Sequence, residues 1–243
     1  MRLEIIGLEG IGEARRGDSI GALIVEACAR QSITLCPADI LVVAHKIVSK
    51  AEGQIVRLDT VEPSARAVEL AQELNKDARL VEIILRESRR VIRKGGTALI
   101  VETHHGFICA NAGVDRSNVE GADIVTLLPK DPDRSARELA ESLGCGIIVS
   151  DTFGRVWREG LVDTAIGIAR VPPFIDFRGK ADTHGYQLQA TLLASADALA
   201  AAAGLVMGKT SRTPAALIRG FPWEEANTSA AALLRAPEKD LFL

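Results

Sequence analysis

Asn-Ala-Gly-Val-Asp-Arg-Ser-Asn at residues 111–118 follows one apolar run of the chain, and Ser-Asp-Thr-Phe-Gly-Arg at residues 150–155 follows another. Each stretch places a carboxylate, Asp115 or Asp151, at the end of a segment typical of a buried strand. Together the two acids would form an oxygen-rich site for Mg²⁺ or Mn²⁺, and Arg155 would suit the phosphates that these metals carry. Asp and Asn beside Gly are also common in turns, so either stretch alone would more often be a turn. The presence of both stretches in one chain favours a metal and phosphate site over two turns.

Strand-like and helix-like segments alternate along the chain without a clear linker. Short runs rich in β-branched residues predict strands at residues 39–43, 97–101, 106–110 and 146–149. Apolar residues at helical spacing predict helices at residues 64–74 and 79–92, and the alanine-rich window at 198–207 predicts a buried helix. Asp131-Pro132 and Gly144 are typical of the start and end of a further helix. With 47% hydrophobic residues, residues 1–243 suit one compact catalytic unit.

Two glycine-containing segments resemble nucleotide-binding loops only in part. Gly10-Ile11-Gly12 lacks the third glycine of a dinucleotide fingerprint and precedes no convincing crossover helix. Ala-Gly-Leu-Val-Met-Gly-Lys-Thr at residues 203–210 fits a loose spelling of the P-loop. A true P-loop connects a strand to a helix, whereas here an alanine-rich helix leads in and a strand-like run at 215–218 leads out. We therefore expect neither a Rossmann fold nor a P-loop fold.

Composition and charge exclude several classes of protein. The formal net charge is −3 and no clustered basic face is visible, so nucleic acid is not an expected partner. The densest basic run, at residues 89–94, is predicted to be the solvated end of a helix. The four cysteines lack zinc-ligand spacing and are expected to be reduced and mostly buried. With no apparent export signal or bilayer-spanning segment, we expect a cytoplasmic protein with no membrane partner.

Four segments carry a resemblance to a known family. They are residues 47–53, Ile-Val-Ser-Lys-Ala-Glu-Gly; residues 111–118; Asp151-Thr152 with Gly154-Arg155; and the region from Gly208-Lys209 through Pro214 to Arg219-Gly220. In this order, and over residues 7–221, the chain resembles the coenzyme F-420:L-glutamate ligase family. The resemblance implies an α+β, mixed-sheet fold specific to that family and an intertwined homodimer. It also implies ligation of L-glutamate to the deazaflavin coenzyme F-420 precursor, with GTP as co-substrate, two or more Mg²⁺ or Mn²⁺ ions, and K⁺ as a further candidate ion.

The same resemblance implies roles for individual residues. Asp115, Asp151 and Thr152 match metal-binding positions, and Lys50 and Arg155 are the candidate catalytic cations. A lone lysine is more often at the surface, but Lys50 closely follows an apolar strand and suits a strand-end site. The implied nucleotide contacts are Ile11, Gly12, Glu13, Ala14, His45, Lys46, Lys50, Asn118, Gly208, Lys209 and Thr210.

Several polar residues depart from the family pattern or stand alone. His45 lies where members often carry a small hydroxyl residue, and His184 lies where tyrosine is usual. The adjacent His104 and His105 would face opposite sides of a strand, which argues against a joint catalytic role. Asp197 lies inside the alanine-rich helix and needs a partner or water, so it either supports the site or faces solvent.

The chemistry expected from these residues is the activation of a carboxylate. Transfer of the γ-phosphoryl group of GTP makes an acyl phosphate, which the glutamate amine then attacks. Metal ions on Asp115 and Asp151, with Lys50, Arg155 or Lys209, would neutralise the developing charge. Two other classes could use the same residues. A metal-dependent nucleotide phosphohydrolase would release phosphate without an amine acceptor, and a non-catalytic nucleotide-binding regulator would bind without turnover.

Overall fold

A computed structural model describes residues 2–117, 121 and 123–241, and strands and helices interleave through these residues. The strands are β1 (Glu4–Gly7), β2 (Ile40–Ala44), β3 (Ile55–Arg57), β4 (Ser88–Gly95), β5 (Ala98–Thr103), β6 (Ile108–Ala110), β7 (Ile124–Thr126), β8 (Gly146–Arg155), β9 (Arg158–Ala169), β10 (Ile175–Asp176), β11 (Leu192–Leu193) and β12 (Ala215–Arg219). The α-helices are α1 (Ile20–Arg30), α2 (His45–Ala51), α3 (Ala65–Leu74), α4 (Ala78–Arg86), α5 (Pro132–Leu143) and α6 (Ser195–Met207).

The main sheet has five strands in the order β1-β12-β2-β8-β9. Only β2 and β8 pair in parallel within it, and the other neighbours are antiparallel. Successive side chains of a strand point to opposite faces, so β2 buries Leu41 and Val43 with α1 and α5 on one face. It buries Ile40 and Val42 with α6 on the other. This double burial explains the uninterrupted apolar runs, and the prediction of an α+β fold with a mixed sheet is confirmed.

A second layer of structure carries one of the two quoted stretches. Strands β4, β5 and β6 form an antiparallel sheet, and β3 pairs with β7. Leu58, Ile84, Leu99 and Val125 belong to one buried cluster, which joins these strands to α4. The chain leaves β6 through a short 3-10 turn at Asn111–Gly113 and enters the stretch that contains Asp115. The layer therefore positions Asp115, whereas the main sheet positions Asp151.

Most of the predicted elements are confirmed, with shifted ends. The strands predicted at 39–43 and 97–101 correspond to β2 and β5, and the helix predicted at 64–74 corresponds to α3. The side chain of Asp131 accepts a hydrogen bond from Arg134 N at the start of α5, and Gly144 ends that helix with φ near 73°. The predicted helix near residue 200 is α6, but Leu205 is exposed, so this helix is buried on one side only.

The helix predicted at residues 79–92 is wrong in its second half. Helix α4 ends at Arg86, and the chain continues as β4, which is antiparallel to β5. Val91 lies opposite Val101, and the side chains of Arg89 and Arg90 pair with Glu102. Cross-strand pairs of this kind stabilise a sheet and override the helical spacing of the apolar residues. The basic run at 89–94 is therefore a strand and not the end of a helix.

Two further strand predictions need correction. The strand predicted at 106–110 begins only at Ile108, because His104 and His105 lie in the turn between β5 and β6. Their Nε2 atoms contact carbonyl oxygens outside the strand, His104 that of Arg86 at 2.8 Å and His105 that of Pro129 at 2.9 Å. The strand predicted at 146–149 extends to Arg155, so Asp151 lies within a strand and not after one.

The cysteines agree with the prediction from the sequence. All four cysteines are free, with Cys28, Cys109 and Cys145 buried and Cys36 exposed, as predicted. Within residues 2–117, 121 and 123–241, none of the helices combines the length and the apolar character needed to cross a membrane.

Candidate functional site

The first turn of α2 reaches both acids that the sequence singled out. Helix α2 begins at the end of β2, whose last residue, Ala44, lies beside Ser150 of the parallel strand β8. This register places His45 next to Asp151, with 3.2 Å between Nε2 and Oδ1. The following residue, Lys46, lies with Nζ 2.6 Å from Oδ2 of Asp115. Two consecutive residues therefore link the two quoted stretches.

Asp115 is held as a carboxylate by its neighbours. Ser117 donates hydrogen bonds from its backbone N to Oδ1 at 2.7 Å and from Oγ to Oδ2 at 2.9 Å. The backbone of Asp115 pairs with Thr126, which fixes the direction of the side chain. Burial raises the pKa of Asp115, but the hydrogen bonds from Lys46 and Ser117 and the charge of Lys46 outweigh this and bring the pKa below its ordinary value. The side chain is thus ionised at neutral pH.

Asp151 lies in a more enclosed position on β8. Its side chain is largely buried, and Oδ1 accepts a hydrogen bond of 2.7 Å from the backbone N of Thr152. Burial and then the negative charge of Asp151 raise the pKa of the Cys109 thiol to about 12. Cys109 is therefore a neutral thiol near Asp151 and does not act as a nucleophile.

Thr152 belongs to a group of three side chains beside Asp151. It lies directly across the β8–β9 pair from Asp163, and its hydroxyl donates a hydrogen bond to Oδ1 of that residue. Lys209 contacts both, with Nζ 3.1 Å from Asp163 Oδ1 and in contact with Thr152 Oγ1. This arrangement connects the candidate metal ligand Thr152 to the candidate phosphate contact Lys209.

Asp163 is a site residue that the sequence reasoning missed. It is buried on β9, and a Cβ built on Gly204 of α6 would lie 2.6 Å from its Oδ2 atom. The glycine therefore allows α6 to pack against the carboxylate. An acid within an apolar strand segment, Leu-Val-Asp-Thr-Ala-Ile at residues 161–166, was the available signal. Its partner Lys209 lies 46 residues away, so no local pattern relates them.

Lys50 is buried near the first nucleotide-contact loop. Its side chain is 7% exposed, and Nζ contacts Oε1 of Glu13. Ile11 and Ala14 are buried in the core below α1, while Gly12 and Glu13 face outward. The loop is thus anchored by two apolar residues and meets α2 through Glu13. The interpretation of Lys50 as an ordinary surface lysine is wrong.

Not every candidate residue joins this group. Arg155 lies at the exposed end of β8, where it donates to the carbonyl of Glu159. Three residues of the strand separate it from Asp151, which places it about 13 Å along the sheet. Gly208 ends α6 with φ near 58°, and Thr210 follows in the exposed connection to β12, as the sequence predicts for a helix-to-strand link. Asn118 lies outside the described residues, and His184 is exposed in a distant turn.

Asp197 supports the sheet and does not face solvent. Its Oδ1 atom accepts a hydrogen bond of 2.9 Å from the backbone N of Ala165 on β9. Burial raises its pKa, and the hydrogen bond only partly offsets this. Ala165 lies two residues from Asp163, so Asp197 holds the strand that carries the site acid.

The donor set fits a divalent cation, although the ligands do not form a closed cage. Within the described residues, no three side chains of His, Cys, Asp or Glu converge as a metal cluster. Carboxylate and hydroxyl oxygens at Asp115, Asp151 and Thr152 are the ligands that Mg²⁺ and Mn²⁺ accept, with water or phosphate completing the shell. The Nε2 atom of His45 is buried and has no hydrogen-bond partner among the described residues. Oδ1 of Asp151 lies 3.2 Å away, but the two atoms lack hydrogen-bond geometry. The Nε2 atom nevertheless faces this acid.

Comparison with known proteins identifies the family of the chain. The family model described as "F420-0:Gamma-glutamyl ligase" matches residues 10–220. The chain is 45% identical to the "Coenzyme F420:L-glutamate ligase" of Methanothermobacter thermautotrophicus, covering 100% of this chain and 99% of that protein. The proteins of the same name from Methanopyrus kandleri and Archaeoglobus fulgidus are 44% and 37% identical, each over 100% of this chain and 97% of the relative. From its N-terminal loop to β12, this chain belongs to the F420-0:gamma-glutamyl ligase family.

Proposed function

We propose that the protein ligates L-glutamate to a deazaflavin coenzyme F-420 precursor with GTP and a divalent metal. The observation that carries the proposal is the first turn of α2, where Lys46 contacts Asp115 and His45 lies against Asp151. Family membership supplies the acceptor and the amino acid, since the relatives are named for both. The acids and lysines in one place support phosphate chemistry.

The lysines account for nucleotide binding. Lys46, Lys50 and Lys209 each place an ammonium group next to a carboxylate, so the site holds three positive charges that are already oriented. An ammonium group has three donors. Lys46 and Lys209 each use two of them, on a carboxylate and a hydroxyl, and the third can meet a phosphate oxygen. We assign these residues to the phosphates of GTP. The distant Arg155 is assigned to the rim, where it would meet substrate only if the hairpin of β8 and β9 moved or a second subunit approached.

The reaction that this arrangement supports is a phosphoryl transfer followed by amide formation. The precursor carboxylate attacks the γ-phosphorus of GTP, GDP leaves, and the acyl phosphate forms. The amine of glutamate then attacks the acyl carbon, and inorganic phosphate leaves. Asp115, Asp151 and Thr152 would hold the divalent metal, which when bound supplies positive charge to the phosphate oxygens. The lysines hold the transferred group in line and offset the charge that develops on its oxygens.

A homodimer is part of the proposal. The hairpin of β8 and β9 exposes Trp157 at 82%, Leu161 at 70% and Val156 at 64%. Large exposed apolar side chains grouped at the end of a long hairpin are typical of a surface that another chain covers. A second copy meeting this hairpin would also lie near Arg155, which the single chain leaves away from the acids.

Mass spectrometry of the coenzyme tests the function directly. The purified protein is incubated with the non-glutamylated precursor, GTP, L-glutamate and Mn²⁺, and GDP is measured in parallel. We expect a product heavier by one glutamyl residue and one GDP for each product. Release of GDP at the same rate without glutamate or precursor would instead support a nucleotide phosphohydrolase. Binding of GTP with no turnover under all conditions would support the non-catalytic regulator.

Matched acid variants separate the site from the scaffold. Asp115→Asn and Asp151→Asn keep the side-chain volume and remove the charge that a hard cation needs, so both should abolish turnover and leave folding intact. Asp59→Asn is the control, because Asp59 is exposed and pairs only locally with Arg57. Metal affinity is measured for all three by calorimetry. Normal metal binding and activity in both site variants would contradict the assignment of the metal ligands.

A further inference from the structure

His45 is a buried imidazole whose two nitrogens have different surroundings. It is only 2% exposed, and its Nδ1 atom lies 3.3 Å from the hydroxyl of Ser49, one helical turn further along α2. This contact fixes the orientation of the ring. The Nε2 atom then points toward Asp151, which lies 3.2 Å away at Oδ1. Within residues 2–117, 121 and 123–241, Nε2 has no hydrogen-bond partner.

The position of this nitrogen calls for an explanation. A buried polar atom without a partner lowers stability, so native structures rarely keep one without a function. A hydrogen bond to Asp151 would be the simple solution, but the two atoms lack the alignment that it requires. Neighbouring ligands of one metal ion show this relation instead, because both point at a third position and not at each other. With bonds of about 2.1 Å at right angles, two such ligands lie about 3 Å apart.

We propose that Nε2 of His45 is a ligand of the divalent metal that Asp151 binds, and that this nitrogen makes the site favour Mn²⁺ over Mg²⁺. The inference rests on the proposed function, in which Asp151 holds the metal. Imidazole is a ligand of transition-metal ions, whereas Mg²⁺ prefers oxygen ligands and keeps its waters. Ser49 acts as the outer partner that sets the ring, as such partners do for metal-binding histidines.

Neighbouring charges are consistent with this role. Lys46, the adjacent residue, is bound to Asp115 and Ser117 and therefore does not point at His45. Cys109 lies near Asp151 with a thiol whose pKa is raised to about 12, so it does not compete as a thiolate ligand. Neither a lysine directed at His45 nor a thiolate therefore competes with a cation for the Nε2 atom of His45 and Oδ1 of Asp151, which lie 3.2 Å apart.

Pulsed electron paramagnetic resonance with Mn²⁺ as the probe tests the inference on the full chain. Protein in excess over Mn²⁺, with and without GDP, should give a spin echo modulated by a directly bound ¹⁴N nucleus. Uniform ¹⁵N-histidine labelling of the unchanged protein should replace this modulation by that of ¹⁵N, so the test needs no substitution. His45→Gln should abolish the signal, weaken Mn²⁺ binding 10- to 100-fold and change Mg²⁺ binding less than threefold.

A control variant and the possible results separate failure of the His45 inference from failure of the proposed function. His105→Gln removes another partly buried imidazole, whose Nδ1 atom also lacks a hydrogen-bond partner within the described residues and whose Nε2 atom contacts Pro129 O, and it should leave the modulation unchanged. Mn²⁺ that binds, depends on Asp151 and shows no histidine nitrogen would overturn the inference and leave the proposed function in place. Failure of Mn²⁺ to bind at all would overturn both. Equal losses of Mn²⁺ and Mg²⁺ affinity in His45→Gln would overturn the selectivity part.

Discussion

The ion pair between Asp163 and Lys209 allows a quantitative test of how the site positions a phosphate-binding cation. The side chain of Asp163 is 9% exposed and that of Lys209 is 64% exposed, with 3.1 Å between Oδ1 and Nζ. Asp163→Asn keeps the volume and an acceptor oxygen for the hydroxyl of Thr152, but it removes the charge that holds the ammonium group. We expect weaker binding of GDP and GTP, because Lys209 would then sample many orientations.

The expected magnitude follows from the distance and the exposure. Two unit charges 3.1 Å apart attract by about 5 kcal/mol at an effective dielectric constant of 20. Most of this attraction is lost to solvent screening and to the hydration that Lys209 gives up, since its side chain is largely exposed. A coupling free energy of about 1 kcal/mol remains, which corresponds to about a fivefold change in Kd.

A double-mutant cycle measured by calorimetry provides the assay. Asp163→Asn alone should weaken GDP binding about fivefold, whereas in a Lys209→Met background it should have no further effect. Asp197→Asn is the control, because Asp197 supports the same strand without facing a lysine and should be additive with Lys209→Met. Full additivity of Asp163→Asn would refute a role through Lys209. Tighter binding by Asp163→Asn would show that the acid competes with phosphate for the lysine.

Three further expectations concern stability, thiols and assembly. Asp39→Ala should lower the free energy of unfolding in urea by about 2 kcal/mol, because it leaves Arg219 without its two partly buried hydrogen bonds of 2.8 and 2.7 Å and because the exposure of Arg219 reduces the cost below that of a fully buried pair. Under native conditions a thiol reagent at pH 8 should modify Cys36 and spare Cys109, whose pKa is about 12; fast labelling of all four thiols would contradict the buried positions. Trp157→Asp should shift sedimentation from dimer to monomer if the hairpin is the dimer surface, and an unchanged profile would exclude that surface.

The sequence predicts the central strands of the main sheet well because burial on both faces leaves a strong pattern. Strand β2 at residues 40–43 and the first part of β8 at residues 146–149 are continuous runs without a polar side chain, and every residue of these runs is buried. The ends of α5 are also predictable, since Asp131 and Gly144 satisfy local requirements of the helix itself. These features depend on neighbouring residues only, which is why they are visible without the fold.

The predictions that fail depend on contacts between distant residues. Strand β4 has apolar residues at a spacing that also suits a helix, and only pairing with β5 decides between the two. Strand β8 continues past Val149 because β9 follows it as a long hairpin, a length that no turn signal marks. The role of Asp163 depends likewise on Lys209, which reaches it from the end of α6.

Several buried and half-buried acids of this protein fall into two groups by the kind of partner they have. Asp39, Asp133 and Asp197 are satisfied by backbone amides or by a guanidinium group that joins separate elements; Asp133, for example, accepts from Ile168 N and Ala230 N. Asp115 and Asp163 are instead paired with lysines, whose ammonium groups lie on long side chains that can move. A cation or a phosphate can therefore replace or share these lysine contacts without disturbing backbone hydrogen bonds. The first group therefore stabilises the fold. The acids paired with lysines can instead exchange their partners, so these are the acids at which substrate binding can assist the reaction.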